Sequence, residues 1–358
     1  MKILDWYILK KFLITYVFVV AVVMLIICMI DFTEKIDNFR ERGPTNKEIF
    51  FDYYLNMIPY WANYISPLLV FIATVFFTSR LAARTEITAM LSSGISLLRL
   101  LVPYLMGSTI LAIFTFAMVG WIIPQGNKVK LAFEYKYIED QFYFNQRNFH
   151  VKIAPSLYAY LESYNNSSLT GYKFTLERME GNQLKEKLTS DRIVWDPKKK
   201  KWTIHDYTTR KIDGLKESLT TGLQKDTTLN LSPKDFENDK NQYEALTLTQ
   251  IDDYISLLNL RGADGVNAYL LEKYARLTQP FSIIILTVIG VTVSARKSRR
   301  GTGWQIAMGF VLAFIYILFF MVAKGIAESG RISAMLAVWL PNIVFSFIGL
   351  ILYRNMPK

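Results

Sequence analysis

Side chains that ordinarily carry chemistry are scarce in this 358-residue sequence. Two histidines, His150 and His205, and a single cysteine, Cys28, are too few for a zinc or iron–sulfur centre. One thiol also precludes an intrachain disulfide. The sequence has no G-x-x-x-x-G-K-[ST] run, so it has no P-loop for ATP hydrolysis. Neither G-x-S-x-G nor H-E-x-x-H occurs, and no pair of carboxylates has catalytic spacing. The expectation is therefore no catalytic residue, no metal ligand and no cofactor in this chain. What remains is a small set of charges in informative places. Asp31 and Glu34 follow the first apolar run, with Lys35 one helical turn after Asp31 and Arg40 further on. Arg84 and Glu86 open a short amphipathic stretch that contains Met90 and reaches Gly94. Glu272 and Arg276 stand at i,i+4 in the order that favours a helix ion pair.

The elements that must position these charges are apolar. Apolar residues make up 52% of the chain, aromatics 15% and charged residues 20%, and the mean hydropathy is +0.21. Soluble chains average about 25% charged residues. Six stretches contain no Asp, Glu, Lys or Arg: Phe12–Ile30, Met57–Ser79, Leu100–Ile123, Leu277–Ala295, Trp304–Ala323 and Ile332–Tyr353. Their lengths of 19, 23, 24, 19, 20 and 22 residues match a helix crossing the bilayer, which takes roughly 20 residues at 1.5 Å each. A soluble enzyme, a secreted disulfide scaffold and a disordered chain are excluded. The first apolar run is longer than a signal-peptide core and no A-x-A-like site follows it, so it is expected to be a retained anchor.

The net charge of +11 is a matter of location. Gln125–Ala275 holds 22 basic and 21 acidic residues, a net of +1, which leaves +10 for the apolar part. Lys2, Lys10, Lys11, Arg80, Arg84, Arg99, Arg296, Lys297, Arg299, Arg300, Arg354 and Lys358 face only Asp5 and Glu86. The connection Asp31–Asp52 instead has four cations and six acids. Excess Lys and Arg in short connections marks the cytoplasmic side. Both termini are then inside, as six crossings require. The basic balance signals topology, and no nucleic-acid partner is expected.

The segment after the third span must then lie on the non-cytoplasmic side. It alternates like a β domain, with strand candidates at Asn148–Ile153, Leu157–Tyr164, Tyr172–Arg178, Leu184–Ser190, Arg192–Trp195 and Lys201–Thr209. Glu180-Gly181-Asn182 and Asp196-Pro197 punctuate them as turns, and Lys198–Lys201 reads as a solvated hairpin end. Strands at this spacing suggest a sandwich or jelly roll. Thr249 is the expected cap of a helix over Gln250–Leu260, Gly262 and Gly265 break the chain, and a helix near Asn267–Ala275 leads into the fourth span. Pro59, Pro67, Pro103, Pro124, Pro280 and Pro341 lie in or beside spans and permit kinks.

The expected fold is a membrane α-helical protein of six transmembrane helices with an inserted all-β domain. The divisions are 1–124 for the first three spans, 125–248 for the β domain, 249–276 for a helical connector and 277–358 for the last three spans. Within the first division, residues about 82–95 form a cytoplasmic helix with Ile87, Met90, Leu91 and Leu98 near one face and Thr85 able to cap it. It is either an interfacial helix whose Glu86 complements the helix dipole, or a coupling helix that docks on a cytoplasmic motor.

Several of these segments together resemble one family. Leu4-Asp5-Trp6-Tyr7-Ile8-Leu9-Lys10-Lys11-Phe12 is similar to the opening of LptF/LptG lipopolysaccharide export permeases, slightly closer to LptG. Ala83-Arg84-Thr85-Glu86-Ile87 through Ser93-Gly94, Trp121–Asn127, Glu272–Arg276 with Pro280, and Trp339-Leu340-Pro341-Asn342 look like family positions in the same order. The resemblance implies a permease subunit of an ABC transporter in the inner membrane of a Gram-negative bacterium, with the β-jellyroll insert in the periplasm. Its implied partners are a second LptF/LptG-type permease, two LptB-type ATPase subunits that bind ATP and Mg, and LptC with LptA-type jellyroll proteins. The implied cargo is lipopolysaccharide. Arg84, Glu86, Met90 and Gly94 fall at the ATPase-coupling positions. The first and fifth spans fall at the lateral lipid gate, which makes Ile26, Phe310 and Phe314 candidate lipid contacts. Where some LptG members carry a phosphate-binding lysine this chain has Asp31, with Lys35 a turn later and Arg40 beyond as substitutes. Arg42, Lys47, Lys128, Lys130 and Lys136 are further candidates for phosphate and sugar contacts. The alternatives are a permease for another lipid or lipoprotein, a membrane-embedded enzyme acting on lipid-linked substrates, or a ligand-binding receptor.

Overall fold

A computed structural model describes residues 3–138, 148–181, 183–214, 216–236, 242–261, 266–295 and 302–355. Gly262, Gly265, the basic run Arg296–Arg300, Lys2 and Lys358 lie outside the described residues. The chain forms two compact units. One contains residues 1–138, 243–251 and 267–358, and the other contains residues 139–242 and 252–266.

The first unit is helical. Its elements are α1 (Ile3–Arg42), α2 (Leu55–Tyr64), α3 (Ser66–Ala83), α4 (Glu86–Ser92), α5 (Leu97–Ala117) and α6 (Ile123–Tyr137). After the insertion come α7 (Leu248–Arg261), shared between the units, then α8 (Val266–Ser294), α9 (Thr302–Glu328) and α10 (Ala334–Arg354). Among the described residues six helical segments are long and apolar enough to cross a membrane. The chain is a multi-pass membrane protein.

Three boundaries differ from the expectation, each for a local reason. The first span does not stop at Ile30. α1 is one helix of 40 residues, ended by Gly43 in the left-handed region (φ 62°), whose N–H reaches the Phe39 carbonyl at 3.2 Å. Asp31 and Lys35 are thus helical neighbours rather than loop residues. The second span is broken in two. Ile65 leaves helical geometry between α2 and α3, and Pro67 at the start of α3 has no N–H to continue the ladder. Gln279 covers the opened backbone, its Nε2 donating to the Asn63 carbonyl and to Asn63 Oδ1 at 2.9 Å, and Asn63 Nδ2 in turn donates to the Thr115 carbonyl of α5 at 2.9 Å. The third span continues through a π-helical turn at Met118–Ile122 into α6, so helix persists to Tyr137, where the β domain was expected from residue 125.

The second unit is an antiparallel sheet of seven described strands. They are β1 (Phe149–Ala154), β2 (Leu157–Leu161), β3 (Ser163–Asn165), β4 (Thr170–Glu180), β5 (Gln183–Asp196), β6 (Lys201–Asp213) and β7 (Lys216–Thr227). The order is β1-β2-β4-β5-β6-β7, with β3 also pairing β4. One face buries Val151, Leu161, Phe174, Ile193 and Trp202, and the segment carrying Leu231 and Phe236 closes over them. Trp202 Nε1 donates to the Leu231 carbonyl at 2.7 Å, which satisfies the indole in this core. The two short strands expected at Leu184–Ser190 and Arg192–Trp195 are one strand, β5, continuously paired with β6. β7 had no sequence signal because nearly all its residues are exposed and no alternation arises. The expected hairpin end is present: Asp196 Oδ1 accepts from the N–H groups of Lys198 and Lys199 at 2.9 and 3.1 Å.

Candidate functional site

The charged stretch after α3 folds into α4, a helix of seven residues. Thr85 does not cap it. Its backbone is left-handed (φ 61°), and its hydroxyl donates to the Arg84 carbonyl at 2.6 Å, so the bond that would cap α4 is not made. The other end behaves as expected. Gly94 (φ 85°) donates to the Leu91 carbonyl at 3.0 Å and Ile95 donates to the Met90 carbonyl at 3.2 Å, the paired bonds of a Schellman turn. Ile87 is buried and Met90 half-buried in a cluster that also contains Ile8 and Phe12 of α1. Leu91 and Leu98, expected on the same face, are exposed. Arg84 and Glu86 lie 4.0 Å apart, both partly in solvent, a spacing that contributes little to stability. They are free to meet another surface. The other acid among the basic connections, Asp5, is buried and accepts from Arg99 at 2.6 Å, which ties the foot of α1 to the start of α5.

At the far end of α1, Lys35 Nζ lies 2.6 Å from Asp31 Oδ1 and also donates to the Tyr53 hydroxyl. Tyr53 and Tyr54 donate to the Asp31 carboxylate at 2.9 and 3.2 Å. Burial, with Asp31 beside it, pushes the Tyr53 hydroxyl above its ordinary range. The structure brings Asp31 and Lys35 together as a neutral, hydrogen-bonded pair, and Arg40 is exposed on the next turn. Thr45 and Glu48 form a reciprocal capping pair: the Thr45 N–H donates to Glu48 at 2.9 Å and the Glu48 N–H to the Thr45 hydroxyl at 3.3 Å. The Thr45 N–H above all, then the hydroxyls of Thr45 and Tyr137, hold the Glu48 carboxyl down to about 2. Lys136, a phosphate candidate, sits 3.5 Å from Glu48 instead.

The candidate gate residues lie on the two spans with the least internal packing. In the most apolar stretch of α1 only 6% of residues are buried and in α9 22%, against 72% in α3. Ile26 is 53% exposed, Phe310 50% and Phe314 61%. α1 is held at its ends, by Ile8 and Phe12 in one cluster and by Phe39 in another with Tyr53, Met57, Phe133 and Tyr137. Between these anchors its apolar side chains are largely uncovered.

One constellation escaped the sequence. Glu244, in the short turn Gln242–Ala245, is buried, with Tyr60 donating to Oε1 at 2.8 Å and Lys130 to Oε2 at 3.3 Å. Asn127 Nδ2 donates to the Glu244 carbonyl at 3.0 Å. Beside it, Arg276 is 2% exposed; it pairs with Glu272 at 2.8 Å and donates to the carbonyls of Leu246 and Tyr243 at 2.6 and 2.8 Å. The returning chain is thus fastened to α2, α6 and α8. Lys130 therefore belongs to a structural clamp and not to a phosphate site. Separations of 114 residues for Lys130–Glu244 and about 30 for the Arg276 contacts leave no local pattern. The only hint was an ion pair placed directly before an apolar span.

His150 and His205 lie on β1 and β6, which are not neighbours in the sheet. Among the described residues no group of three His, Cys, Asp or Glu is placed to hold a metal ion. Among curated proteins none matches the chain. Residues 6–355 match the family model described as lipopolysaccharide export system permease LptF/LptG. A match over nearly the whole length, on six apolar helices interrupted by an all-β insertion, means that this chain belongs to the LptF/LptG family of lipopolysaccharide export permeases.

Proposed function

We propose that this chain is the passive half of an ABC transporter, driven by a separate ATPase that binds ATP and Mg. A second LptF/LptG-type permease would complete the pair. In this reading it sits in the inner membrane with both termini in the cytoplasm and the β insertion in the periplasm. The uncovered middle of α1 and the uncovered face of α9 meet the partner permease and the lipid. Lipopolysaccharide carries several acyl chains, and each methylene exposed to water opposes release by about 0.8 kcal/mol. An extraction path must therefore stay apolar, which the stripes around Ile26, Phe310 and Phe314 supply. Work arrives at Arg84, Glu86, Met90 and Gly94, where a groove on the ATPase receives α4. The lipid then passes to the β insertion and on to LptC and LptA-type jellyroll proteins.

The observation that carries this reading is the shared core of α4 and α1. Ile87 of the short helix packs in one cluster with Ile8 and Phe12 at the foot of the gate helix. A push on α4 cannot be absorbed by a loop and must reach α1, because cores are close-packed and transmit displacement. The test is Glu86→Lys. Copurification with the ATPase and ATP-driven lipid release should both fall by about tenfold or more, since a like charge at a docking contact costs several kcal/mol. Undiminished copurification and release would remove α4 from the coupling path.

A further inference from the structure

The buried side of α9 follows the helical period: Gln305, Gly309, Ala313, Tyr316, Ala323 and Ala327. Four of these six are glycine or alanine. Gly309 lies so close to Val75 of α3 that an added Cβ would stand 2.9 Å away, and Ala323 and Ala327 share a cluster with Ala334 and Ala337 of α10. Small residues let helix backbones approach closely. Their contacts have no direction, so such a seat resists separation more than it resists turning. Toward one end of α9, Gln305 Nε2 donates to the Ser294 carbonyl at 3.4 Å, a long bond.

Directional restraint in the middle of the helix comes from Tyr316. At 1.5 Å per residue it stands about 21 Å from Thr302 and about 18 Å from Glu328, the two ends of α9. That is the centre of the span, where no water competes for a hydrogen bond. The Tyr316 hydroxyl lies 2.7 Å from Ser282 Oγ of α8 and 2.9 Å from Asn342 Oδ1 of α10, and Ser282 Oγ donates to the same Oδ1 at 2.9 Å. All three residues are buried. The phenol ring itself is set edge to face against Phe345 at 5.0 Å. One tyrosine proton therefore faces two acceptors on two different helices. Asn342 closes the segment Trp339–Asn342, which the lipid path and the coupling helix leave unused. Phe314 precedes Tyr316 by two residues, about 200° round a helix of 3.6 residues per turn, and so projects from the opposite side, as Phe310 does.

We propose that Tyr316 is the positioning residue of α9, the tether that fixes which way Phe310 and Phe314 face during transport. The inference rests on the gate role given to α9 above. When α9 turns, the hydroxyl passes its bond between Ser282 and Asn342, so the helix pivots on one point without stranding a donor in hydrocarbon. Tyr316 acts through the two phenylalanines, and the smooth glycine and alanine seat lets them follow.

The test uses the full chain, reconstituted with its partners in liposomes, and measures lipopolysaccharide released and ATP consumed on the same sample. Tyr316→Phe keeps the ring and its packing on Phe345 and removes only the hydroxyl. Lipid released per ATP should fall about threefold, the ratio that one hydrogen bond inside a membrane commands. ATP consumption, copurification and the thermal midpoint should hold. Ser282→Ala leaves Asn342 as acceptor and should lose less. Unchanged release per ATP in Tyr316→Phe overturns the proposal. So does a midpoint and an ATP consumption that fall in step with release, which would make the residue merely structural. A larger loss in Ser282→Ala than in Tyr316→Phe overturns it too, by placing the tether elsewhere. Ile26→Arg, run alongside, reports on the lipid path itself. If it blocks release and Tyr316→Phe does not alter it, the tether alone fails; if Ile26→Arg releases normally, the gate reading fails.

Discussion

Arg276 shows how much a single side chain can hold in a molecule with few charges. Its guanidinium joins α8 to the carbonyls of Tyr243 and Leu246 while Glu272 balances its charge. Removing one partner of a buried pair leaves a charge and backbone acceptors unsatisfied in low dielectric. Arg276→Met is therefore expected to destabilise the protein by about 3 kcal/mol, seen as a lower thermal midpoint of the detergent-solubilised protein. An unchanged midpoint would mean that the clamp is not a stability element. The residue pair itself was legible, because i,i+4 spacing in a helix is a local pattern. Its burial was not, because the acceptors come from a turn about 30 residues earlier in the chain, beyond any local pattern. The caps show the same divide. Gly94 was readable because only glycine takes its backbone angle without strain. Thr85 was misread because a hydroxyl beside a helix start can equally bond back to its own preceding carbonyl. The cap expected at Thr249 is made by Thr247, which exchanges bonds with Gln250 at 3.1 and 3.3 Å.

Among elements, the six apolar helices were legible because bilayer thickness imposes a length on sequence. Their ends were not. Charge runs were read as loops, yet α1 carries Asp31, Glu34 and Lys35 as helix, with Lys35 and two tyrosine hydroxyls satisfying the Asp31 carboxylate. β7 remained hidden, since a strand without a buried face shows no period of two. At this scale Gly94 sets the end of α4. Gly94→Val forces a β-branched residue into the left-handed region at about 1–2 kcal/mol, and unwinding the turn relieves it. Limited proteolysis between Ser92 and Leu97 should accelerate and ATPase copurification should weaken, while the thermal midpoint of the membrane unit holds. Unaltered proteolysis would show that the turn does not depend on glycine.

For the whole molecule, composition and charge placement gave the membrane class, and the ordered family segments gave the permease. The uncovered surface of the first span became visible only from packing. α1 holds the most apolar stretch of the six spans, far more apolar than α3, and yet it is the one left mostly uncovered. Ile26→Arg places a cation in that uncovered stretch, where each such charge costs about 3 kcal/mol at hydrocarbon depth. Lipid release should be blocked while the complex still copurifies, because the substitution touches neither anchor of α1. Normal release from an assembled complex would move the lipid path elsewhere.

The 40-residue length of α1 has a mechanical meaning. A rod of about 60 Å is twice as long as the roughly 30 Å of hydrocarbon it crosses. With one tip beside Asp5 and the other beyond Asp31, a rocking of about 5° about one tip swings the opposite one through about 5 Å. A nudge too small to disturb the fold at one face of the bilayer is thereby enlarged, by leverage alone, into a displacement the size of a side chain at the other.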